Sequence, residues 1–488
     1  MPFHPTTAQK RVFAEIVHDM RQPTPMRRLL QGDVGSGKTI VALQAALVAI
    51  ENGYQAALMA PTEILATQHY LAARKLLERT DRQSPYRVLS LTGSLDEDRK
   101  RTNRGRIVRG EADLVIGTHA LIEEKVEFAN LGLVIVDEQH RFGVMQRFRL
   151  MKKPNAAEPH VLVMTATPIP RTLALTLYGD LDVSVLDELP PGRTPIVTRR
   201  TSDERAAEVW QFLRKQVKAG HQAYIVYPVI EGRSDDQPEL DFPQDAEPAV
   251  DEGEKKTKPQ GKTGKSAKKT ASLFAEKVAK NDKPNLKSAV AMFEELRATH
   301  LAGLRMGLMH GRMDASEKEI NMRRFQRGEL DVLVATTVIE VGVDVPNASV
   351  MVIEHAERFG LAQMHQLRGR VGRGAAKSYC ILMTGGKVSP QAEERLDAMV
   401  RTQNGFELAE LDLALRGPGE FFGTRQAGLP DFRVANLLRD RKLLELARQE
   451  AVRFVETGDG DMPRDAVNAV WTHLKGHWQR RYGLVEAG

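Results

Sequence analysis

Residues 31–40 (QGDVGSGKTI) constrain the fold of this chain more than any other stretch. Residues 32–39 match the phosphate-loop pattern G-x-x-x-x-G-K-[S/T] at every required position. The preceding residues 26–31 (MRRLLQ) can form a short strand, and residues 39–50 (TIVALQAALVAI) have helical periodicity. A strand–loop–helix context separates a working phosphate loop from a glycine-rich turn that binds nothing. The sequence therefore predicts an α/β unit that holds phosphate groups.

The residue types in this loop suit a bound polyphosphate. Its glycines let backbone amides turn toward phosphate oxygens, and the following helix presents its positive end to them. Lys38 is predicted to reach the β- and γ-phosphates, and the Thr39 hydroxyl is predicted to ligate magnesium. The predicted nucleotide-binding positions are Gly32, Asp33, Val34, Gly35, Ser36, Gly37, Lys38 and Thr39.

Composition sets broad limits on the rest of the chain. At 488 residues it is long enough for about two to four domains. The net charge of +6 is compatible with a polyanionic partner but too small to establish one. The single cysteine, Cys380, cannot form an internal disulfide, which fits a reducing cytoplasm. The chain start lacks an apolar signal core and no apolar run approaches membrane-spanning length, so the sequence predicts a cytoplasmic chain with no membrane contact.

Short apolar runs alternate with helical stretches from residue 8 to about residue 386. Such runs between helices favour parallel sheets with crossover helices, so we expect two α/β domains. A proline-rich stretch at 189–198 is the predicted hinge between them. The candidate strands are 56–60, 88–91, 113–116, 133–136 and 161–165 in the first half, and 223–227, 305–309, 332–335, 350–353 and 379–383 in the second.

The chain is predicted to end in helices. Helical patterns cover 391–401, 406–415, 434–457 and 465–474, and a glycine-rich loop at 416–428 interrupts them. We therefore expect domains over residues 1–192 and 193–386, followed by a helical appendage over 387–488.

An insertion at 231–284 interrupts the second domain. Its first part is acidic, its second part is rich in lysine, and aromatic residues are scarce throughout. Such a segment cannot bury enough apolar surface to fold alone, so we expect a solvated loop. The alternative is a basic arm on DNA, although the acidic half would oppose that role.

A phosphate loop needs a second acidic element at the end of a buried strand. The apolar run 133–136 leads directly into Asp137 and Glu138. Asp137 is predicted to hold magnesium through water, and Glu138 to orient and deprotonate the attacking water. The alternative is a solvated pair of acids at a strand end, which is common in itself.

The third chemical element is residues 366–373 (QLRGRVGR). From the second domain, Arg370 and Arg373 could reach across the cleft and neutralise charge on the transferred phosphate. An arginine finger contributes about 10³–10⁵ in rate, and it makes hydrolysis depend on domain closure. The alternative is a basic surface helix.

The motifs GDVGSGKT, DEQH, MTATP (164–168) and QLRGRVGR, in this order, resemble those of superfamily 2 helicases. The segments APTEILA, LTGS, GTHAL and TTVIEVGVDVPN resemble the remaining motifs of that superfamily. The longer segments DEQHRFGV, TPIPRTLALTLYGDLDVSVLDELPPGR and GFELAELDLALRGPGEFFGTRQAG resemble the RecG family of bacterial helicases. The resemblance covers nearly the whole chain apart from 231–284. The nearest alternative is the motor of a transcription-repair coupling factor.

The resemblance implies two RecA-like parallel-sheet P-loop domains in tandem plus a C-terminal helical appendage. It implies an ATP- and Mg²⁺-dependent double-stranded DNA translocase that remodels stalled replication forks and Holliday junctions in DNA repair and recombination. The implied partners are branched and double-stranded DNA, with single-stranded DNA-binding protein as a further candidate. The implied state is a monomer at the bacterial nucleoid.

Two other functions stay open from the sequence. The chain begins where the motor of the family begins, so we expect the N-terminal wedge domain to be absent. Without it, the chain would be a DNA-stimulated ATPase that does not unwind productively. A third reading is a nucleotide-gated DNA-binding module in which hydrolysis is incidental, although intact Lys38, Asp137 and Glu138 oppose it.

The resemblance also assigns residues to roles. Gln9 matches the glutamine that reads adenine, and Gly342 and Asp344 match a motif that lines the ATP cleft. Residues that match the coupling of nucleotide state to DNA grip are Gln139, His140, Thr165, Thr167 and Gln366. Residues that match positions holding the DNA backbone are Pro61, Thr62, Thr92, Gly93, Thr118 and Thr336. Residues of the translocation motif assigned to duplex DNA are Arg395, Arg416, Arg425 and Gln426; a merely structural loop is the alternative for this motif.

Overall fold

The computed structural model describes most of the chain and contains two separate parallel sheets. The described residues are 4–77, 86–123, 125–137, 158–165, 181–190, 194–228, 289–336, 345–374, 376–386, 388–421, 440–457 and 464–482. The predicted insertion at 231–284 lies outside them.

The first sheet has seven parallel strands in the order β3-β4-β2-β5-β6-β1-β7. The strands are β1 Arg27–Gly32, β2 Gln55–Met59, β3 Val88–Leu91, β4 Leu114–Gly117, β5 Leu131–Asp137, β6 His160–Thr165 and β7 Asp182–Leu186. The helices described in this unit are α1 Thr7–Met20, α2 Lys38–Glu51, α3 Glu63–Leu77 and α4 Glu97–Val108. The central strands are buried on both faces, which is why they read as continuous apolar runs.

The second sheet has six parallel strands in the order β10-β11-β9-β12-β13-β8. The strands are β8 Val197–Ser202, β9 Gln222–Val226, β10 Met306–Met309, β11 Val332–Ala335, β12 Ala348–Ile353 and β13 Tyr379–Thr384. The helices described with them are α5 Ala206–Lys218, α6 Ala289–Ala298, α7 Ala315–Gln326 and α8 Leu361–Arg368. The α/β prediction with two parallel sheets is confirmed.

The sequence pattern missed two strands, and both lie at sheet edges. Strand β8 contains only half-buried and exposed residues and carries two arginines, so it lacks the apolar run that marks a central strand. It begins at Val197, inside the stretch predicted as a hinge, so the last two residues of that stretch belong to the second sheet. Strand β7 begins with the exposed Asp182 and is similarly short.

The two sheets repeat one set of polar clamps at matching positions. In each sheet a buried glutamine of the third strand in order donates two hydrogen bonds, one to a backbone carbonyl in the last turn of a helix and one to a carbonyl just after that helix. An arginine–aspartate pair joins the two outer strands, and an asparagine of the adjacent helix holds the outermost strand. The matching residues are Gln55 and Gln222, Arg87 and Arg305, Asp113 and Asp331, and Asn103 and Asn321. Because these clamps recur, the two sheets are copies of one structural unit, and their functional loops lie at equivalent edges.

In the part of the C-terminal region that the structure describes, four helices follow the second sheet: α9 Pro390–Arg401, α10 Gly405–Phe421, α11 Arg441–Thr457 and α12 Arg464–Tyr482. Helices α9 and α10 share the core of the second sheet through Leu396, Met399 and Leu408. Helix α11 instead contacts the edge of the first sheet, where Arg448 donates a 3.1 Å hydrogen bond to the carbonyl of Leu181. The C-terminal helices therefore contact both sheets.

The prediction of a loop from residue 416 was wrong for its first six residues, because α10 continues to Phe421. Leu408 and Leu413 anchor the helix in the core, and this packing outweighs the local preference of the glycine–proline sequence. Residues 422–428 of the predicted loop lie outside the described residues.

The single cysteine lies on β13 and is fully buried. Burial raises the pKa of the Cys380 thiol to about 12, so the side chain stays protonated and behaves as a small apolar group. Among the described helices, none combines the length and apolar character needed to cross a bilayer.

Candidate nucleotide site and interdomain cleft

The carboxyl ends of three neighbouring strands bring the predicted phosphate chemistry together. In the first sheet, β6 pairs with β5 on one side and β1 on the other, with Asp137 beside Met164 and Gln31 beside Thr165. Because parallel strands end at the same edge, the phosphate loop after β1 lies at the edge that carries Asp137 and Thr165. Thr165 is buried there, 3% exposed. This is the edge at which α/β folds bind ligands.

The phosphate loop has the backbone that anion binding requires. Gly35 and Gly37 have φ angles of 81° and 89°, and α2 begins directly afterwards at Lys38. The Lys38 Nζ donates hydrogen bonds of 2.7 Å and 2.9 Å to the carbonyls of Gly32 and Asp33. The hydroxyl of Ser36 is buried and has no hydrogen-bond partner among the described residues. The Lys38 amine, which is hydrogen-bonded to backbone carbonyls, and the unsatisfied Ser36 hydroxyl lie at a helix N-terminus. This arrangement fits a phosphate ligand.

Gln9 lies against this loop, as the sequence predicted for a nucleotide-site residue. It is 6% exposed, and its two polar ends are both engaged. Its Oε1 accepts a 3.0 Å hydrogen bond from the Thr6 amide, which caps α1, and its Nε2 donates a 2.9 Å bond to the Ser36 carbonyl. A side chain at Gly37 would overlap the Gln9 amide, so the loop and the glutamine are packed together. The role of Gln9 in reading adenine stays a prediction.

Asp137 has a partner that the sequence did not reveal. The His69 Nε2 on α3 lies 2.7 Å from the Asp137 Oδ2, and both side chains are largely buried. Nothing in the spacing of His69 along its helix distinguishes it from a core residue, so only the fold could show this contact. The imidazole fixes the orientation of the carboxylate, in the way that outer partners orient metal ligands.

The oxygen groups of Thr39 and Asp137 fit magnesium, which binds through a few protein oxygens together with substrate phosphates. Thr39 is half-buried in the first turn of α2. Among the described residues no cluster of three or more histidine, cysteine or acidic side chains could hold a metal by itself. The oxygen donors of Thr39 and Asp137 agree with a metal that is shared with a nucleotide.

The second sheet brings its arginine-bearing segment to the same loop. His365 of α8 places its Nε2 2.6 Å from the Asp33 Oδ1. At the end of α8, a Cβ on Gly369 would lie 2.9 Å from the side chain of Val34, so only glycine allows this close approach. The contacts of His365 and Gly369 with the phosphate loop therefore bring the segment 366–373 across the cleft to the first sheet.

The two candidate finger arginines lie just beyond that contact. Arg370 is 4% exposed, and Arg373 donates a 3.2 Å hydrogen bond from Nε to the Gly369 carbonyl. Gln366 is half-buried on α8. Contact of either guanidinium with a phosphate stays a prediction.

Five of the six residues predicted to hold the DNA backbone follow strands of the first sheet. Those at 61–62, 92–93 and 118 follow the ends of β2, β3 and β4, which are neighbours in the sheet. Gly93 is exposed and Pro61 and Thr62 are half-buried. In contrast, Thr92, Thr118 and Thr336, which follows β11, are 5%, 1% and 4% exposed. The geometry favours Gly93, Pro61 and Thr62 as the outward-facing members of this set.

The predicted translocation residue Arg395 is engaged within the protein. Its Nη2 donates a 2.8 Å hydrogen bond to the Glu357 carbonyl in the turn after β12, which fixes α9 to the second sheet. Arg416 lies in α10, although its side chain is outside the described set. The predicted site residues outside the described residues are Glu138, Gln139, His140, Thr167, Gly342, Asp344, Arg425 and Gln426.

Family models match three successive parts of the chain. A DEAD/DEAH box helicase model matches residues 6–176, and a helicase conserved C-terminal domain model matches 266–375. The two parallel sheets, with the phosphate loop on the first and the arginine segment on the second, have the architecture of the superfamily 2 helicases. A third model, the C-terminal part of domain 3 of the ATP-dependent DNA helicase RecG, matches residues 402–481.

Individual relatives point to one family within this class of helicases. The chain is 48% identical to the ATP-dependent DNA helicase RecG of Synechocystis sp. over 92% of its own length and 48% of that protein. It is 47% identical to the RecG of Thermotoga maritima over 95% of its length and 52% of that protein. A structure of RecG bound to a three-way DNA junction matches 91% of this chain and 51% of that one, with 44% identity and a TM-score of 0.68. The chain belongs to the RecG family, and it spans about half the length of these relatives.

More distant structures share the fold alone. The helicase Mss116p, in a structure bound to single-stranded RNA and AMP-PNP, matches 82% of this chain and 73% of that one, with 16% identity and a TM-score of 0.55. At that identity the match supports the two-sheet architecture and carries no information on substrate.

Proposed function

We propose that this chain is an ATP-dependent DNA helicase and double-stranded DNA translocase that remodels stalled replication forks and Holliday junctions in DNA repair and recombination. The observation that carries this proposal is the contact between the phosphate loop and α8, through Asp33 with His365 and Val34 with Gly369. It brings an arginine-bearing segment of one sheet to the nucleotide loop of the other. Such an arrangement makes hydrolysis sensitive to domain position.

The residues of the first sheet bind and orient the nucleotide in this proposal. Lys38 leaves the carbonyls of Gly32 and Asp33 and engages the β- and γ-phosphates, while amides of the loop hold the phosphate oxygens. Thr39 and Asp137 would hold Mg²⁺, which supplies neutralisation of phosphate charge when bound. His69 keeps the Asp137 carboxylate oriented.

Hydrolysis requires a positioned water and stabilisation of charge. Glu138 accepts a proton from water as the water oxygen bonds to the γ-phosphorus, and the bond from that phosphorus to the bridging oxygen breaks to give ADP and phosphate. Arg370 and Arg373 stabilise the charge that spreads over the transferred group. The coupling of this step to DNA is assigned to Gln139, His140, Thr165, Thr167 and Gln366, and the remaining lining of the cleft to Gly342 and Asp344.

DNA is proposed to run along the carboxyl edges of the two sheets. Gly93 and Thr62 are accessible there and offer backbone amides and a hydroxyl, which hold phosphates without reading bases, whereas Pro61 has no N–H and could only contact the sugar–phosphate backbone. Branched DNA as substrate is supported by the related RecG structure bound to a three-way junction. The arginines of the C-terminal helices, Arg395 and Arg416 with Arg425 and Gln426, are assigned to coupling with the duplex.

Several finer assignments belong to the same proposal. We place the domain limits at 1–192, 193–386 and 387–488, with α9 and α10 packed on the second sheet. A cytoplasmic, nucleoid-associated location and a monomeric state fit a bacterial family that acts on chromosomal DNA. Single-stranded DNA-binding protein is a candidate partner.

The proposal is tested by ATP hydrolysis without DNA, with linear duplex and with a synthetic three-way junction. Stimulation by duplex, with a further gain on the junction, supports the proposed activity of the chain. Stimulation by duplex alone supports a translocase and contradicts junction remodelling by this chain. No hydrolysis under any condition contradicts the motor assignment.

A further inference from the structure

The carboxylate of Asp33 connects three parts of the molecule. It lies in the phosphate loop, its Oδ1 accepts from the Val34 amide at 2.6 Å, and the same oxygen lies 2.6 Å from the His365 Nε2 on α8. Its Oδ2 accepts a 3.3 Å hydrogen bond from the Gly405 amide, the first residue of α10. The phosphate loop therefore caps a C-terminal helix 372 residues away in the sequence, at the positive end of that helix.

The contacts of His365 define the tautomer of its neutral imidazole. The Nη2 of Arg368 lies 3.0 Å from the His365 Nδ1, and a guanidinium can only donate. The Nδ1 must therefore accept, so the proton of a neutral imidazole sits on Nε2 and is donated to Asp33. Arg368 also donates to the carbonyls of Met399 and Thr402, at 2.7 Å and 2.9 Å, where α9 ends. A continuous chain of hydrogen bonds thus runs from the phosphate loop through α8 to the α9–α10 turn.

The backbone and the side chain of Asp33 contact different partners. Its backbone carbonyl accepts the 2.9 Å hydrogen bond from Lys38, whereas its side chain holds α8 and α10. When Lys38 moves to contact a phosphate, the backbone carbonyl of Asp33 loses its hydrogen bond with the Lys38 ammonium group. The carboxylate of Asp33 is then free to change position together with its backbone. Burial would raise the pKa of Asp33, but the hydrogen bonds from His365 and the Val34 amide and the charge of Lys38 together lower it, so the group stays ionised.

We infer that Asp33 and His365 are positioning residues that transmit the nucleotide state of the phosphate loop to α10 and the helices after it. This inference rests on the proposed function, because it names the route by which ATP binding would reach the C-terminal helices. It assigns to Asp33 a task separate from holding phosphate. It assigns to His365 a task separate from the charge stabilisation proposed for Arg370 and Arg373.

The test compares two substitutions at His365 that differ in whether they can form hydrogen bonds with Arg368 and Asp33. His365→Gln keeps an acceptor for Arg368 and a donor for Asp33, and His365→Leu removes both. The first readout is the affinity for a non-hydrolysable ATP analogue with and without linear duplex DNA, whose ratio is a coupling factor. The second is hydrogen exchange at the Gly405 amide before and after the analogue binds. His300→Leu, at an exposed histidine, is the matched control.

We expect the coupling factor of His365→Leu to fall toward one, a loss of about fivefold or more, while His365→Gln retains most of it. We expect the analogue to change exchange at Gly405 in the unsubstituted chain and in His365→Gln, but not in His365→Leu. Equal coupling in all chains, or equal loss in both His365 variants, would overturn the inference. If the unsubstituted chain shows no ATP hydrolysis and no DNA effect, the proposed function itself has failed.

Discussion

The side-chain amide of Gln9 is shared between the start of α1 and the phosphate loop: its Oε1 accepts from the Thr6 amide at 3.0 Å and its Nε2 donates to the Ser36 carbonyl at 2.9 Å. One residue therefore closes a helix N-terminus and holds the loop that would bind phosphate. Helix α1 thus contacts the candidate nucleotide site directly through Gln9.

Replacement of Gln9 by alanine should weaken both structures. Loss of the capping contact should cost about 1 kcal/mol of stability, and the loosened loop should bind an ATP analogue less tightly. Thermal unfolding and analogue affinity measure the two effects. Gln22→Ala, at an exposed glutamine just after the same helix, is the control, and equal behaviour of the two variants would contradict this role.

Lys38→Ala should abolish ATP turnover while leaving the fold intact. The amine is the principal cation of the loop, and removing such a preorganised charge costs about a hundredfold or more in rate. Steady-state hydrolysis with linear duplex measures the loss, and the far-ultraviolet circular dichroism spectrum checks the fold. Lys10→Ala, on the exposed face of α1, should hydrolyse ATP normally. Unaltered turnover in Lys38→Ala would remove the basis of the motor assignment.

Arg373→Ala should separate hydrolysis from nucleotide binding. If its guanidinium stabilises the transferred phosphate, the rate should fall by about 10³ or more, while an ATP analogue binds within a fewfold of normal. Arg327→Ala, at an exposed arginine just after α7, is the control. A variant that loses binding and rate together would place Arg373 in ground-state binding instead.

Replacement of Gln222 should destabilise the second sheet. The amide donates to the buried carbonyls of Phe325 and Leu330 at 2.6 Å and 2.7 Å, so Gln222→Leu leaves two acceptors without this donor. The expected cost is about 1–3 kcal/mol, seen as a lower unfolding temperature. Gln211→Leu, on the exposed face of α5, should change it little. An equal effect at the two positions would mean that the clamp contributes no stability.

Acid should destabilise the first sheet through His160. Burial lowers the pKa of this imidazole below 6.5, although the nearby Asp19 charge opposes the shift, and the Met26 amide donates to its Nδ1 at 2.9 Å. Because the folded-state pKa is the lower one, the unfolded chain binds more protons as the pH falls through 6.5. Stability should therefore decrease below that pH and level off below the folded-state pKa.

The His160 effect is measured by comparing unfolding temperatures at pH 7.5 and 5.5 in the unsubstituted chain and in His160→Gln, whose amide oxygen can accept from Met26 without titrating. The variant should lose less stability on acidification. Identical losses would show that other groups account for the acid sensitivity.

Much of the architecture could be predicted from local sequence. The central strands of both sheets are short apolar runs because both faces are covered, and the pattern located them to within two residues. The phosphate loop was equally clear, since its glycines, lysine and threonine must stand at fixed spacing for one backbone to surround a phosphate. The edge strands β7 and β8 were missed because one exposed side removes the apolar run that marks a strand.

The sequence by itself determined the two α/β units, the position of the phosphate loop and the segment that carries Arg370 and Arg373. Only the tertiary structure decided that His69 orients Asp137, and that Asp33 holds both His365, 332 residues away, and the start of α10. The physical reason is the range of the interactions. Helix and strand patterns arise between residues a few positions apart, whereas a hydrogen bond between distant segments leaves no periodicity in either one.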